Sequence, residues 1–235
     1  MNTTRIGIMQ PYFFPYIGYW QLMSYVDRYV IYDDVNYIKG GWINRNRILI
    51  NGVPSYINLP LSGVSSNKQI NQISVDKTER DIRKLTQMLR LNYCKAPNFD
   101  EAFPFLCKLI ALENDNLGDY LSEVILAMAD YLGIKTEIIR SSDLKIDSQL
   151  KGVDRVIAIC KKLDGKEYVN AIGGAKLYSR ELFRDKGIDL KFLKTDKIIY
   201  KQMSEGFEEN LSIIDVIMNN NKGIIKEMLS MYELV

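Results

Sequence analysis

Residues 4–35, TRIGIMQPYFFPYIGYWQLMSYVDRYVIYDDV, decide the fold class of this chain. The run TRIGIM (4–9) predicts a buried strand, GYWQLMSYV (18–26) a helix, and RYVIYDDV (28–35) a second buried strand that ends in two acids. A strand, a helix and a strand in this order form a βαβ unit, which favours parallel strands with helices on the sheet faces. The sequence therefore predicts an α/β fold with a mostly parallel sheet.

The rest of the chain adds a hairpin, a helical insertion and further strands to this unit. NRILINGVPSYINLPL (46–61) has two apolar runs around Asn-Gly, which predicts a β-hairpin. Residues 78–133 carry helical patterns between a Thr cap and a glycine, which predicts a helical subdomain. We expect a single α/β unit over 1–235, whose sheet is completed by the remaining segments. Further strands are predicted within 136–144, 167–187 and 188–194. Further helices are predicted within 152–165, 167–187, 211–221 and 223–232.

Composition and charge exclude several classes of protein. The 235 residues contain 31 Lys and Arg against 29 Asp and Glu, so the net charge of +2 gives no electrostatic case for nucleic acid or an anionic membrane. The chain contains neither a run of roughly 18 apolar residues nor a signal-peptide pattern at its N-terminus, which predicts no membrane insertion. Three widely spaced cysteines are typical of a reduced protein, and we expect a cytoplasmic location.

The absence of histidine is the most informative count. It removes the Ser-His-Asp and Cys-His nucleophile systems and the usual histidine-based metal sites. No metal-ligand spacing is present either, so we expect no metal. Proton transfers in such an enzyme would depend on Asp, Glu, Tyr, Lys or the substrate itself.

An aromatic turn follows the first predicted strand. Gln10 and the rings of Tyr12, Tyr16 and Tyr19 surround two prolines and a glycine. Ligands of open α/β sheets bind at the carboxyl ends of strands, and tyrosine rings can stack on a base or a sugar. The alternative is an unusual core turn that buries its rings.

Two acids, Asp33 and Asp34, end the second predicted strand at the same edge of the sheet. A carboxylate there can accept sugar hydroxyls, take a proton from an ammonium nucleophile or hold Mg²⁺. The alternative is one turn residue and one solvated residue.

The stretch YIKGGWINRNRI (37–48) gathers cations and a tryptophan beside two glycines. Arginine forks suit phosphate and a tryptophan face suits ring stacking, so a phosphate and ring clamp is one interpretation. A basic surface lead-in to the hairpin is the other. The candidate residues of this stretch are Lys39, Trp42, Asn44, Arg45, Asn46 and Arg47.

Two glycine-containing turns precede predicted helices in the second half of the chain. Lys151 and Gly152 stand before one helix, and Asn170, Gly173 and Gly174 stand before another. Backbone N–H groups at a helix start favour an anion, although a glycine pair is also common in ordinary turns.

Together these stretches resemble the WbqC-like family of bacterial proteins from about residue 5 to residue 221. The resemblance implies a cytoplasmic step in making a modified sugar for O-antigen or another surface polysaccharide. It rests on IMQPYFFPYIGYWQL, DRYVIYDDVNYIKGGWINRNRI, YCKAPNF, LKGVDRVIAICKKL, YVNAIGGAKLY and LSIIDVIMNN. The family-motif positions are Gln10, Pro11, Asp33, Asp34, Lys39, Trp42, Asn44, Arg45, Asn46, Arg47, Lys151 and Gly152.

A weaker likeness concerns PYIGYWQL, which stands where nucleotidyltransferases and related ligases carry a His-x-Gly-His turn. Tyr16 and Tyr19 occupy the histidine positions here. The likeness supports a Rossmann-like fold and argues against ordinary adenylyl transfer, because the phosphate-stabilising histidines are missing.

The leading expectation is an acyl- or aminoacyltransferase that forms an amide on the amino group of a nucleotide-linked deoxyamino sugar. A thioester of coenzyme A or of an acyl carrier protein would be the donor, with no tightly bound cofactor. Asp33 or Asp34 would take the amine proton, Lys39 or a glycine-turn N–H would meet the oxyanion, and Arg45, Arg47 and Lys151 would hold phosphates. The alternatives are a diverged nucleotidyltransferase or ATP-dependent ligase, and a non-catalytic sugar-nucleotide-binding partner.

Overall fold

The computed structural model describes residues 4–235, and a six-stranded sheet forms their centre. The sheet order is β10-β9-β8-β1-β2-β7, with every pair parallel except β10 against β9. In chain order the parallel strands follow the 3-2-1-4-5 arrangement of the doubly wound nucleotide-binding folds. The strands of the sheet are β1 (Arg5–Met9), β2 (Arg28–Ile31), β7 (Glu137–Arg140), β8 (Glu167–Ala171), β9 (Asp189–Thr195) and β10 (Tyr232–Leu234). The predicted α/β class with a mostly parallel sheet is confirmed.

Four strands outside the central sheet and eight α-helices complete the described part of the chain. The antiparallel pairs are β3 (Arg45–Ile50) with β4 (Val53–Asn58), and β5 (Leu61–Ser62) with β6 (Ser74–Val75). The helices are α1 (Ile17–Tyr25), α2 (Glu79–Tyr93), α3 (Phe99–Ile110), α4 (Leu117–Tyr131), α5 (Gly152–Lys162), α6 (Arg180–Arg184), α7 (Ile213–Asn219) and α8 (Lys222–Met228). No helix within 4–235 combines the length and the apolar character needed to cross a membrane.

Helices cover both faces of the sheet. Successive side chains of a strand point to opposite faces, and because the central strands are apolar throughout, both faces have to be buried. Ile6, Ile8 and Val30 point to the face covered by α5 and α6. Tyr29 and Ile31 point to the opposite face, where α1, α4 and α7 pack in a larger core. This alternation explains why the central strands read as continuous apolar runs.

The hairpin and the helical insertion both lie in the connection between β2 and β7. Asn51 and Gly52 form the hairpin turn with φ of +52° and +75°, which is the conformation that Asn-Gly favours. The helices of the insertion share one apolar core with α1, since Leu89, Leu106 and Leu121 are buried in the same cluster as Trp20.

The C-terminal segment differs from the sequence expectation. A helix was predicted over 223–232, but α8 ends at Met228 and the chain turns into β10. The buried Gln21 amide donates to the carbonyl oxygens of Met228 at 2.7 Å and Met231 at 2.9 Å, and so fixes this turn from α1. A contact across 207 residues leaves no local signal in the sequence.

Candidate functional site

The candidate site lies where the sheet reverses its winding direction. From β1 the chain moves to β2 on one side, and β8 later pairs on the other side. A crevice opens at such a switch point beyond the carboxyl ends of the strands, and it is the usual ligand position of open α/β sheets. Here it contains a cavity of about 330 Å³, which we call the switch-point cavity, lined by Tyr12, Pro15, Tyr16, Trp42, Asn46, Arg47, Ile172, Gly173 and Asn210.

The aromatic turn that forms one wall is held rigidly by side-chain hydrogen bonds. Phe13 and Phe14 are fully buried. The Asn46 amide nitrogen donates to their carbonyl oxygens at 3.1 and 2.8 Å, and the Ser212 hydroxyl donates to the Phe14 carbonyl at 2.7 Å. Asn46 therefore shapes the wall in addition to lining the cavity.

The tyrosines of the turn divide into two groups. Tyr12 and Tyr16 are partly exposed and line the cavity, and burial raises the pKa of each hydroxyl above its usual value. They stay protonated at neutral pH and can donate hydrogen bonds. Tyr19 is fully buried and its hydroxyl lies 3.3 Å from the Gln10 carbonyl oxygen. The structure thus brings two of the three predicted tyrosines to the cavity and places Tyr19 in the core behind it.

Arg47 supplies a positive charge that no other described residue neutralises. Its side chain makes no ion pair and no hydrogen bond with residues 4–235, and its Nε atom is buried without a partner. The guanidinium carbon lies 6.0 Å from the ring centroid of Trp42, whose side chain is 40 % exposed. A buried donor without a partner is unfavourable unless a ligand satisfies it. The pair is therefore suited to an anion attached to a ring.

Other members of the predicted clamp support the loop. Arg45 donates to the Gly41 carbonyl at 3.1 Å and lies over the Tyr56 ring at 4.5 Å. Asn44 accepts from the Tyr37 hydroxyl at 2.7 Å. Both side chains thereby hold the chain segment that carries Trp42.

Lys39 and the Gln10 side chain stand outside these networks. Lys39 is exposed and makes no ion pair or hydrogen bond with the part of the chain that the structure describes. Gln10 is partly exposed at the end of β1, and only its carbonyl oxygen takes part in the network of the turn.

Asp33 is fully buried at the end of β2 and its carboxylate is saturated with donors. Arg140 donates to it at 2.8 and 3.0 Å, the Ser141 hydroxyl at 3.0 Å, and the Ser142 hydroxyl and amide at 2.7 and 3.1 Å. Burial alone would raise the pKa of Asp33, but the hydrogen bonds from Arg140 and Ser142 outweigh it and lower the pKa. This arrangement disfavours Asp33 as the acceptor of a substrate proton.

Asp34 is similarly engaged. Its carboxylate pairs with Arg155 of α5 and lies 2.5 Å from the Ser141 hydroxyl, whose single proton the two acids share. Neither acid lines the switch-point cavity. Within residues 4–235 no cluster of three or more metal-ligating side chains is present. Nothing in the sequence pattern singles out the arginines and serines that hold these acids, although RSS (140–142) lies within the stretch 136–144 that predicts a strand.

The glycine turn after β8 reaches the cavity, and the predicted helix follows it as α6 but does not begin at the turn. Ile172–Gly174 form a short 3-10 turn, and α6 begins only at Arg180. Gly173 lines the cavity, and a Cβ atom there would meet no described atom within 4 Å. Asn170 is bound internally, donating to the Tyr168 hydroxyl at 3.0 Å.

The remaining predicted turn lies elsewhere. Lys151 and Gly152 do begin α5, as predicted, but they are exposed and do not line the cavity. Conversely, no sequence pattern points to Ile172 and Asn210, which also line the cavity. Asn210 reaches the cavity through the bridge between Tyr16 and Ser212, which joins residues far apart in the chain.

Comparisons with known proteins agree with the resemblance noted in the sequence. The model of the WbqC-like protein family matches residues 10–227, a span that contains the aromatic turn, the hairpin and every residue of the cavity. "Uncharacterized protein Rv1507c" of Mycobacterium tuberculosis is 28 % identical over 218 residues, which cover 92 % of this chain and 93 % of that protein. No solved structure matches.

Proposed function

Because the chain belongs to the WbqC-like protein family, which suggests a function related to polysaccharide gene clusters, we propose that it binds a nucleotide-linked amino sugar in the switch-point cavity and acylates its amino group. The observation that carries the proposal is the unpaired guanidinium of Arg47 beside the exposed face of Trp42. A phosphate attached to a ring satisfies both groups at once.

The cavity offers a distinct contact for each part of such a ligand. Arg47 presents a fork of donors to phosphate oxygens. Trp42 and the rings of Tyr12 and Tyr16 offer stacking faces, while the tyrosine hydroxyls can bond sugar oxygens. About 330 Å³ lies at the lower end of the usual range for small-molecule sites, so one ring and its phosphate fill the cavity and the rest extends along the crevice.

Acyl transfer from a thioester is compatible with a chain that has no histidine. An activated thioester needs orientation of the amine and donors for the developing oxyanion, and no protein nucleophile. The protonated hydroxyls of Tyr12 and Tyr16 are such donors. Because Asp33 and Asp34 are paired with arginines, we assign the amine proton to the departing thiolate rather than to either acid.

A second candidate function is binding of the same sugar nucleotide without turnover. The observation that favours it is the absence of a carboxylate among the described residues that line the cavity. A nucleotidyltransferase with Mg²⁺ at Asp33 and Asp34 has less support, because arginines occupy both carboxylates.

Binding measured by thermal shift tests the proposal. A UDP-linked amino sugar at about 100 times its Kd should stabilise the protein by roughly 2.7 kcal/mol. Arg47→Gln should abolish this shift, whereas Arg90→Gln, at an exposed position on α2, should keep it. An equal shift in both variants, or a shift with ATP and Mg²⁺ alone, would contradict the proposed ligand. Release of free thiol from acyl-coenzyme A in the presence of the sugar then separates the transferase from the binding protein.

A further inference from the structure

A second cavity of about 220 Å³ lies between β4 of the hairpin and helix α2. We call it the hairpin cavity. It exceeds the roughly 150 Å³ that admits a benzene molecule in an engineered protein core, so it can hold a short acyl group. Its lining includes Phe13, Tyr56, Ile82, Lys84, Leu85 and Met88.

Helix α2 turns an incompletely covered apolar stripe toward this cavity. Ile82, Leu85 and Met88 recur at helical spacing and are only partly buried, while Leu89 of the same helix is fully buried. The cavity therefore has an apolar floor that a ligand can cover.

The hairpin cavity and the switch-point cavity share a wall. Phe13 lines the hairpin cavity, while its neighbour Tyr12 lines the switch-point cavity. Tyr56 lines the hairpin cavity, and its ring stacks on Trp42 of the switch-point cavity with centroids 6.2 Å apart. The Phe13 amide also donates to the Trp42 carbonyl at 3.1 Å. Two ligands bound in these cavities would meet at the Trp42–Tyr56 pair.

The rim of the hairpin cavity is basic. Lys84 lines the cavity, and the exposed Arg80 lies one helical turn before Lys84 on the same side of α2. Neither Lys84 nor Arg80 forms an ion pair with the described residues. The one acid in the lining, Asp81, accepts from the Thr78 amide at 2.9 Å and caps the helix. An apolar pocket with free cations at its mouth suits an apolar chain that ends in phosphate.

We infer that the hairpin cavity binds the acyl donor as a phosphopantetheine thioester, an inference that rests on the proposed function. The acyl group lies on the stripe of Ile82, Leu85 and Met88, and the phosphate contacts Lys84 and Arg80. The thioester carbon then faces the amino sugar at the wall formed by Trp42 and Tyr56.

The transfer balances without an additional reactant. The sugar nitrogen attacks the thioester carbon, a C–N bond forms, and the C–S bond breaks with its electron pair leaving on sulfur. The departing thiolate takes the proton that the amine loses, so the products are an amide and a thiol.

Titration calorimetry with butyryl-coenzyme A tests the inference. Lys84→Glu should raise its Kd roughly tenfold or more, the equivalent of about 1.4 kcal/mol. Arg90→Glu, the same change at an exposed position of α2 outside the cavity lining, should leave the Kd unchanged. Leu85→Phe should fill the cavity and therefore weaken the binding of butyryl-coenzyme A more than the binding of coenzyme A. Lys84 is exposed, so Lys84→Glu should fold normally and still test thioester binding even if Leu85→Phe lowers the stability of the protein.

S-butyryl pantetheine 4′-phosphate distinguishes the two possible sources of the phosphopantetheine thioester, coenzyme A and an acyl carrier protein. Binding equal to that of butyryl-coenzyme A supports a carrier-protein donor, and binding more than tenfold weaker supports coenzyme A itself. A Kd that neither Lys84→Glu nor Leu85→Phe changes would overturn the inference, as would competition between butyryl-coenzyme A and the UDP-linked amino sugar for one site. A third outcome separates the two proposals. If Lys84→Glu weakens thioester binding but no sugar-nucleotide binding depends on Arg47, this inference stands and the proposed acceptor is rejected.

Discussion

Asn46 holds Phe14 in a backbone conformation that phenylalanine rarely adopts. The Asn46 amide nitrogen lies 2.8 Å from the Phe14 carbonyl oxygen, and Phe14 has a φ of +46°. Such a conformation is unfavourable by about 1–3 kcal/mol and persists only where the surroundings determine it fully. The strained residue lies directly between Tyr12 and Tyr16, so the hairpin sets the shape of the binding wall through this contact.

Replacing Asn46 by alanine should therefore loosen the turn. Asn46→Ala leaves the carbonyl oxygens of Phe13 and Phe14 without this donor, and we expect the free energy of unfolding to fall by about 1–3 kcal/mol. Urea denaturation measures this loss. Asn58→Ala is the matched control, because its side chain lies on the same hairpin, is exposed and makes no hydrogen bond with the described residues. Equal losses in the two variants would show that Asn46 does not hold the turn.

Trp42 should report ligand binding by its fluorescence. The chain has two tryptophans, and Trp20 is fully buried while Trp42 is 40 % exposed at the cavity. A ring that stacks on Trp42 changes its emission, so titration with a UDP-linked amino sugar should give a saturable signal. Trp42→Phe should remove the signal, and Trp42→Ala should also raise the Kd about tenfold or more, because base–aromatic stacking contributes roughly 1–3 kcal/mol when measured by alanine substitution. A signal retained in Trp42→Phe would place the ligand elsewhere.

The sheet could be predicted because its strands carry local patterns. The strands, the crossover helices and the Asn-Gly turn are each encoded within short runs of residues, as in 4–35. The edge strand β10 could not be predicted, because its turn depends on Gln21, 207 residues earlier in the chain.

The site could be predicted only in part, for the same physical reason. Arg45 and Arg47 are indistinguishable as sequence, yet the structure pairs Arg45 with the Gly41 carbonyl and leaves Arg47 without a partner. Asp33 looks like an available acid until Arg140, 107 residues away, is placed against it. Availability of a charged group is decided by long-range contacts that periodicity does not encode.

Asp33→Asn should affect stability strongly. The buried carboxylate accepts from Arg140 at 2.8 Å and from the Ser142 hydroxyl at 2.7 Å, and leaving such donors without a charged acceptor should lower the free energy of unfolding by about 1–3 kcal/mol. The pKa of Asp33 is lowered in the folded protein, so its stabilisation is complete above about pH 4 and is lost as the pH falls through the folded pKa. Denaturation at pH 5 and pH 2 should show the gap between wild type and variant closing in acid. An unchanged stability together with lost acyl transfer would instead favour Asp33 as the base.

Asp215 should give the opposite pH dependence. It is fully buried, accepts from the hydroxyls of Tyr93 at 2.8 Å and Tyr200 at 2.7 Å, and faces no cation among the described residues. Burial raises its pKa against the effect of those hydrogen bonds, so the folded state favours the protonated form and loses stability as the pH rises through the folded pKa. Asp215→Asn should therefore gain stability relative to wild type as the pH rises above about 4. Denaturation of Asp100→Asn, at an exposed position, provides the comparison, and a gain of equal size there would contradict the prediction.

Lys77 should be an unusually reactive lysine, and its reactivity should depend on the hairpin cavity. Burial lowers the pKa of Lys77 from 10.5 to about 8, while its ammonium group donates to the Ile110 carbonyl at 3.0 Å and lies 4.2 Å from the Tyr120 ring centroid. Near pH 8 about half of Lys77 is neutral and nucleophilic, whereas an unperturbed lysine, with a pKa of about 10.4, is almost entirely charged.

Acetylation by an N-hydroxysuccinimide ester, read by peptide mass spectrometry, measures this difference. The rate at Lys77 should level off above about pH 9, and butyryl-coenzyme A should slow it, because Lys77 lines the hairpin cavity. Lys108, an exposed residue of α3, is the control and should not be protected. A rate at Lys77 that is still rising at pH 10 would contradict the lowered pKa. Reactivity unchanged by butyryl-coenzyme A would show that the thioester does not enter this cavity.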